Sequence, residues 1–430
     1  MKKHRRSLWA NPDFLKLWVG ETISFFGTQI SSVAVPLTAV LILQASPFAM
    51  GVLMALEYGP FLFASLFAGV LTDRIRRRPI LITANVGRAL LLSTIPLATL
   101  AGVLSFPLLC VVVAAVGVLT VFFDVAYQSY LPALVEPDQL VEGNSKVEVT
   151  GSVAMVAGPA AAGVLVQAIT APLTVAVDAV SFLFSALCLA FVRTREPASA
   201  RRDNRQNVWQ EIGLGLRLVL DNPILRSIAA CTSTSNFFIA MRLAVVSIFV
   251  IRNLGISPGA FGLVLGIGSA GALIGALFAN TIARRYGIGP TMISSMLIGG
   301  IGALAIAFAG GPPAWALAML AIGHFVSSAA NTVYNINQIS LRQSITPQHL
   351  LGRVNATMRF FVWGIIPLGS LMGGALGELF GVRAAVTIAT VGGALAFLWV
   401  YFSPVRTLRP SWSTGAETIG VVSEPAQETT

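Results

Sequence analysis

Long apolar runs, each about as long as a membrane-spanning helix, fill most of the chain. A helix needs about 20 apolar residues to cross the hydrocarbon core of a bilayer. Twelve runs of that length lie at 15–43, 48–70, 80–103, 107–130, 146–168, 171–193, 225–250, 258–282, 288–310, 314–336, 355–380 and 383–403. They do not alternate apolar and polar residues, as the strands of a membrane barrel do. The pattern predicts an all-α polytopic membrane protein with twelve transmembrane helices.

The basic residues fall mainly in alternate gaps between these runs. Of the 28 Lys and Arg residues, 23 lie in the N-terminal segment and in every second gap, whereas the other gaps hold only Arg252 and Arg383. Loops rich in Lys and Arg stay on the cytoplasmic side of the membrane. We therefore expect a multi-pass protein of the inner (cytoplasmic) membrane with both termini in the cytoplasm.

The longest polar gap divides the runs into two groups of six. Within this gap, residues 208–220 have the helical spacing of apolar residues that is typical of a helix lying on a membrane surface. The sequence predicts a cytoplasmic N-terminal tail at 1–14, a six-helix bundle at 15–193, a cytoplasmic linker with an amphipathic helix at 194–224, a second six-helix bundle at 225–403, and a cytoplasmic, mostly disordered tail at 404–430.

A shift of 211 residues places the first group on the second. It superposes glycines, prolines and loop positions across four helices: Pro47 on Pro258, Arg74 on Arg285, Asn144 on Asn355, and Gly158 on Gly369. A parallel duplication of six helices is the architecture of carriers that work by alternating access.

The composition agrees with a membrane protein and excludes several other classes. Hydrophobic residues make up 55% of the chain and charged residues 11%, whereas soluble domains carry about 25% charged residues. The topology accounts for the net charge of +10, so we expect no nucleic-acid partner. The cysteines and histidines have no metal-ligand or catalytic spacing, and no phosphate-binding loop is present. We expect no metal, no cofactor and no enzyme activity.

The gap after the second run carries a charged motif. Residues 69–78 read GVLTDRIRRR, which resembles G-x-L-x-D-R-x-G-R-R, the loop signature of the major facilitator superfamily, with Arg76 in place of the usual glycine. The resemblance implies a charge relay that latches the cytoplasmic face, formed by Asp73, Arg74, Arg77 and, from the fourth run, Asp124. The alternative is a solvated loop whose charges only hold the topology.

Two further stretches resemble branches of the same family. Residues 158–163 read GPAAAG and are similar to the Gly-Pro motif of antiporters, so Gly158, Pro159 and Gly163 are candidates for a hinge or, alternatively, for helix packing alone. Residues 124–144 resemble the branch that contains the enterobactin exporter and the macrolide efflux proteins. The resemblance covers residues 12 to about 405 and implies a carrier, more often an exporter.

Two acidic residues inside the apolar runs are candidates for proton coupling. Glu21 and Glu57 lie in the first and second runs, where a carboxylate is costly unless it is paired, hydrated or protonated. For Glu57, a structural ion pair with Arg88 is an equal alternative. Asp124 belongs to the same set of acids, although it suits gating better than coupling.

Aromatic and polar residues on the helices that line the pathway in this family suit a bulky amphipathic substrate. The candidates for the substrate cavity are Phe25, Gln29, Tyr127, Asn236, Arg242 and Tyr334. For Arg242, binding of an anionic substrate and structural pairing with an acid both remain open.

These features together predict a monomeric secondary active transporter. We expect proton-coupled export of small amphipathic compounds, of drug, macrolide or siderophore type, by alternating access. Its partners are then a small-molecule substrate, the proton and membrane lipids. A specific exporter or flippase for a metabolite or lysolipid is one alternative, and a transport-inactive membrane receptor on the same fold is another.

Overall fold

Twelve helices that are long and apolar enough to span a membrane dominate the computed structural model, which describes residues 8–64, 68, 75–136, 139–194, 208–348 and 350–408. No β-strand occurs within those ranges. The predicted all-α fold with twelve transmembrane helices is thereby confirmed.

The spanning helices are numbered α1 to α12 in chain order. The first six are α1 (Pro12–Leu41), α2 (Pro47–Ala64), α3 (Arg77–Leu100), α4 (Phe106–Leu134), α5 (Leu140–Ile169) and α6 (Ala171–Ala190). The last six are α7 (Pro223–Ile248), α8 (Pro258–Tyr286), α9 (Ile288–Ala307), α10 (Pro313–Ile345), α11 (Leu351–Phe380) and α12 (Val382–Tyr401). We call the side on which α1 begins the terminal face, and the opposite side the distal face.

The helix starts repeat along the chain with the same 211-residue shift. Asn11 caps α1 by accepting hydrogen bonds from the N–H groups two and three residues ahead, and Asn222 caps α7 in the same way. Ser46 and Ser257 cap α2 and α8. A proline follows each cap, at the first helical position, where its missing N–H is not needed. The repeat of caps supports the internal duplication.

Each group of six has its own apolar core toward the terminal face, and a third core toward the distal face contains residues of both groups. In the first group, α1 packs against α5 and α6, and α3 packs against α4 and α6. At the terminal face Asp13 joins the start of α1 to the end of α6, because its Oδ2 accepts the backbone N–H of Arg193 at 3.1 Å and of Thr194 at 2.8 Å. Its Oδ1 also pairs with Lys16 at 2.8 Å. The ion pair satisfies both charges near the predicted membrane surface.

The two groups meet through glycines in α5 with α8, and in α2 with α11. A Cβ added to Gly163 would lie 2.5 Å from the carbonyl oxygen of Pro258 and 3.0 Å from the Cα of Gly262. A Cβ added to Gly51 would lie 3.1 Å from the Cα of Gly374. Small residues allow backbones to approach this closely, and all these positions lie near the distal face.

Hydrogen bonds join the same two groups at the distal face. Arg252, in the helical turn Phe249–Asn253 that continues α7, donates to the carbonyl oxygens of Val40 at 2.7 Å and of Ala45 at 2.9 Å. In the other direction, Glu378 accepts the backbone N–H of Phe48 at 3.2 Å. These bonds and the glycine contacts hold the groups together at that face.

A further helix, Val208–Asp221, precedes α7, at the place where the amphipathic spacing was found. It packs against the first part of α11, where a Cβ added to Gly215 would lie 3.1 Å from the Arg353 carbonyl oxygen. Its position on the membrane surface stays a prediction, as does the division into domains. The predicted tails at 1–7 and 409–430, and most of the linker, lie outside the described residues.

Candidate transport pathway and its buried charges

Arg88 of α3 lies at the centre of the first helix group, where it is only 4% exposed. Its guanidinium is held between two aromatic rings, 4.3 Å from the ring centroid of Phe123 and 4.1 Å from that of Phe182. It also donates a hydrogen bond to Asn85, which in turn donates to Ser185 Oγ at 2.9 Å. Stacking on aromatic faces partly compensates a cation for the loss of water.

Three carboxylates lie within electrostatic reach of this guanidinium, although none of them forms an ion pair with it in the described part of the chain. We call the four residues the Arg88 cluster: Arg88, Glu21 of α1, Asp124 of α4 and Asp178 of α6. All three acids act electrostatically on Arg88. Glu21 is 3% exposed and its Oε1 lies 3.4 Å from Ser185 Oγ, whereas Asp178 is 2% exposed. One guanidinium cannot neutralise three ionised carboxylates, so the charge of the cluster depends on how many protons it holds.

Glu57 of α2 lies outside the cluster. The ion pair with Arg88, which was the alternative to proton coupling, does not form, and the described part of the chain gives Glu57 no ion pair and no side-chain hydrogen bond. Glu57 is half-buried, and the regular part of α2 ends one residue later, at Tyr58, with Gly59 as its C-cap. Gly117 of α4 packs here, because a Cβ at that position would lie 2.8 Å from the Glu57 carbonyl oxygen.

The residues of the predicted charge relay are only partly described. Asp73 and Arg74 lie outside the described residues. Arg77 is the first residue of α3. Asp124 belongs to the Arg88 cluster and also lies within electrostatic reach of Arg359. The latch therefore stays a prediction.

The Gly-Pro stretch of α5 lies between two neighbouring helices. A Cβ added to Gly158 would meet the side chain of Gln29 in α1, while Gly163 packs against α8. The carbonyl oxygen of Pro159 faces Gly262. These contacts agree with a role in helix packing, and a hinge motion at Pro159 stays a prediction.

The other candidate cavity residues have different surroundings. Phe25 is half-buried on α1, and Tyr127 stacks on Phe123 with 5.9 Å between the ring centroids. Asn236 donates to a backbone carbonyl oxygen of α11 at 3.0 Å. Tyr334 is 1% exposed and its hydroxyl shares a 2.9 Å hydrogen bond with a threonine of α7. Phe25 and Tyr127 therefore lie on α1 and α4, the helices that carry Glu21 and Asp124. Asn236 and Tyr334 form contacts within the second group.

Arg242 lines a cavity of about 280 Å³ inside the second helix group. The walls come from α7, α8, α9, α10 and α12, and His324 of α10 lies beside the arginine. Of the polar candidates, Gln29 therefore lies in the contact between α1 and α5, whereas Arg242 lies at a cavity.

Sequence reasoning did not place Arg88 beside α6 and did not single out Asn85, Ser181 or Ser185, although a signal was present. Asn85 and Arg88 are three residues apart in an otherwise apolar helix, and this spacing places them on one face. Asp178, Ser181 and Ser185 share a face of α6 for the same reason, and Ser181 Oγ donates to Asp178 Oδ1 at 3.0 Å. Polar residues at helical spacing in two apolar helices would have indicated that the helices meet.

Twelve spanning helices in two groups that meet through glycines, with charges buried inside each group, define an integral membrane transporter rather than an enzyme. The chain belongs to the Major Facilitator Superfamily, whose sequence profile matches residues 17–367 and 228–426. This confirms the family that the loop motif indicated.

Curated relatives and solved structures agree with this assignment. The chain is 29% identical to the multidrug efflux pump Tap of Mycolicibacterium fortuitum over 336 residues, which is 76% of this chain and 80% of the relative. It is 24% identical to the enterobactin exporter EntS of Citrobacter koseri over 395 residues, 90% of this chain and 89% of the relative.

Among solved structures, the nucleoside transporter NupG matches with a TM-score of 0.72 and 13% identity, covering 91% of this chain and 99% of that one. An inward-facing, unoccupied bacterial homologue of the human lysosomal transporter Spinster matches with a TM-score of 0.70 and 14% identity, covering 93% and 98%. At these identities the likeness shows the fold alone. The protein is thus a multi-pass membrane transporter of small molecules with efflux-pump relatives.

Proposed function

We propose that the protein exports small amphipathic compounds across the cytoplasmic membrane in exchange for protons, by alternating access. The observation that carries this proposal is the Arg88 cluster, in which three carboxylates from α1, α4 and α6 lie within electrostatic reach of one buried guanidinium. The efflux and export functions of the relatives support the direction of transport.

In this proposal, protonation of the Arg88 cluster changes the arrangement of the helices in the first group. Gain or loss of one proton changes the net charge at a point where four helices meet, and water is too scarce there to screen the change. A carrier needs such a group, because the proton must be bound when the site faces one side and released when it faces the other. Glu57, half-buried and without a cation partner among the described residues, is the second candidate for this role.

Alternating access requires the two groups to separate at the distal face. The contacts to be broken are the glycine contacts of α5 with α8 and of α2 with α11, together with the hydrogen bonds of Arg252 and Glu378. We propose that the groups move as the bundles 15–193 and 225–403 of a monomer, joined by the linker 194–224. Asp73, Arg74, Arg77 and Asp124 would then latch the terminal face in the opposite state.

The proposed function is tested with inverted membrane vesicles and a panel of fluorescent dyes, macrolides and catecholate siderophores. Vesicles that contain the protein should accumulate at least one class of compound when a pH gradient is present, and a protonophore should abolish the accumulation. Vesicles from cells with an empty vector are the control. Accumulation that is unchanged by the protonophore would contradict proton coupling, and no accumulation of any compound would contradict export of this substrate class.

The orientation in the membrane makes a separate prediction. Reporter fusions after residues 78, 205 and 286 should be cytoplasmic, and fusions after 105, 170 and 312 should be external, because the basic gaps alternate along the chain. Paired alkaline phosphatase and fluorescent-protein fusions measure both outcomes at each site. A reversed pattern at two or more sites would overturn the topology.

A further inference from the structure

The second helix group contains a buried arginine without an acidic partner. Arg242 is 8% exposed, and within the described part of the chain it forms no hydrogen bond and no ion pair. From residue 222 to residue 416 the sequence holds one acidic residue, Glu378, and this residue bonds to the start of α2 at the distal face. The helices around Arg242 therefore contain no carboxylate that could form an ion pair with it.

The guanidinium lines the cavity of about 280 Å³. The further polar groups in its walls come from four helices: Ser235 of α7, Ser295 of α9, His324, Ser327, Ser328, Asn331 and Thr332 of α10, and Thr390 of α12. The hydroxyls of Ser235, Ser328 and Thr332 have no hydrogen-bond partner among the described residues. The cavity thus offers one positive charge and several donors, and it contains no negative charge.

The size of the cavity limits its occupant. A water molecule takes about 30 Å³ and pockets for drug-sized ligands measure roughly 300–1,000 Å³, so the cavity has room for a small organic group or for part of a larger ligand. A buried charge without a partner is strongly unfavourable. An anionic occupant would remove that cost, and a guanidinium matches a carboxylate through two parallel hydrogen bonds.

We propose that this cavity is a binding site for the carboxylate of a small organic anion, with Arg242 as its ion-pair partner and the hydroxyl of Ser235 as a further donor. The first helix group carries the buried acids and the second carries the buried cation, so a proton and an anionic group would bind in different halves of the molecule. The inference deepens the proposed function by giving the exported compound an acidic group, but binding itself does not depend on transport.

The experiment is isothermal titration of the purified full-length protein in lipid nanodiscs with sodium benzoate, neutral benzamide and sodium chloride. Benzoate should bind, and benzamide should bind at least about tenfold more weakly, because a charge-assisted hydrogen bond is lost. Arg242→Gln should weaken benzoate binding at least about tenfold, and Arg242→Lys should keep part of it. Arg226→Gln, an exposed arginine on the same helix, is the matched control and should bind benzoate like the wild type.

A thermal unfolding measurement distinguishes loss of the binding site from loss of the folded structure in these variants. Without ligand, Arg242→Gln should unfold at a higher temperature than the wild type, because an unpartnered buried charge is removed. A lower unfolding temperature would mean that Arg242 is a structural partner, and this would overturn the proposal. Ser235→Ala tests the site without touching the charge and should weaken benzoate binding alone.

The other outcomes are also decisive. Equal binding of benzoate and benzamide, or wild-type affinity in a folded Arg242→Gln variant, would overturn the anion site. Competition between chloride and benzoate supports it, whereas binding of chloride without benzoate would overturn the assignment to a carboxylate. If benzoate binds through Arg242 but no compound is exported in vesicles, the site stands and the proposed function fails.

Discussion

Replacing Glu21 with glutamine is expected to reduce transport driven by a pH gradient to the level of empty vesicles, while downhill exchange of the same compound continues near the wild-type rate. Glutamine keeps the shape of the side chain and its contact with Ser185 Oγ, but it cannot bind and release a proton. Glu21 is buried beside Arg88, so its protonation changes the charge of the cluster directly. Both activities are measured in vesicles, with and without the gradient.

Asp124→Asn and Glu57→Gln, made singly, separate the remaining possibilities. A residue that couples protons to transport should lose uphill transport and keep downhill exchange, whereas a residue that gates the pathway should lose both. Asp124 is within electrostatic reach of two arginines, Arg88 and Arg359, so we expect its variant to lose both activities. If none of the three variants separates the two activities, protons are coupled elsewhere or the driving ion is not a proton.

Glu142→Gln is the matched control for these variants. Glu142 lies near the terminal end of α5 and forms an exposed ion pair with Lys146 at 3.3 Å. Exposed pairs contribute about 0–1 kcal/mol, so the variant should keep both uphill transport and downhill exchange. A loss of uphill transport in this control would show that any missing carboxylate impairs the assay, and the assignment to Glu21 would then be withdrawn.

The number and order of the spanning helices could be predicted from the sequence, because lipid imposes a minimum length of apolar residues. The run at 171–193 corresponds to α6, Ala171–Ala190, and the run at 258–282 corresponds to α8, Pro258–Tyr286. The start of α1 was predicted at residue 15 but lies at Pro12. The charged Asp13 lies before the predicted start, and the helix accommodates it by pairing it with Lys16 one turn later.

The partners of the buried charges could not be predicted in the same way. Periodicity shows which residues share one face of a helix, but it does not show which helix faces it. The sequence suggested Glu57 of α2 for Arg88, whereas α3 packs mainly against α4 and α6, so Asp124 and Asp178 lie near Arg88 instead. For Arg242, by contrast, the absence of acids from the surrounding helices was visible in the sequence, and only the cavity needed the structure.

Substituting Gly163 with leucine should strongly impair transport while leaving membrane insertion intact. A Cβ at Gly163 would lie 2.5 Å from the Pro258 carbonyl oxygen and 3.0 Å from the Gly262 Cα. Both are backbone atoms of α8, so no flexible side chain can move aside. Overpacking of this kind costs about 1–3 kcal/mol, which corresponds to roughly 5- to 150-fold in the population of the state with the distal face joined.

Gly151→Leu is the control for this substitution because it makes the same change on the same helix. A Cβ at Gly151 meets nothing within 4 Å, so this variant should insert and transport like the wild type. Initial rates in vesicles, divided by the amount of protein in the membrane, compare the two variants. An alternating-access carrier must form and break the joined distal face once in every cycle, so the rate should fall with the population of that state. Equal rates for the two leucine variants would mean that the contact between α5 and α8 is not part of the transport cycle.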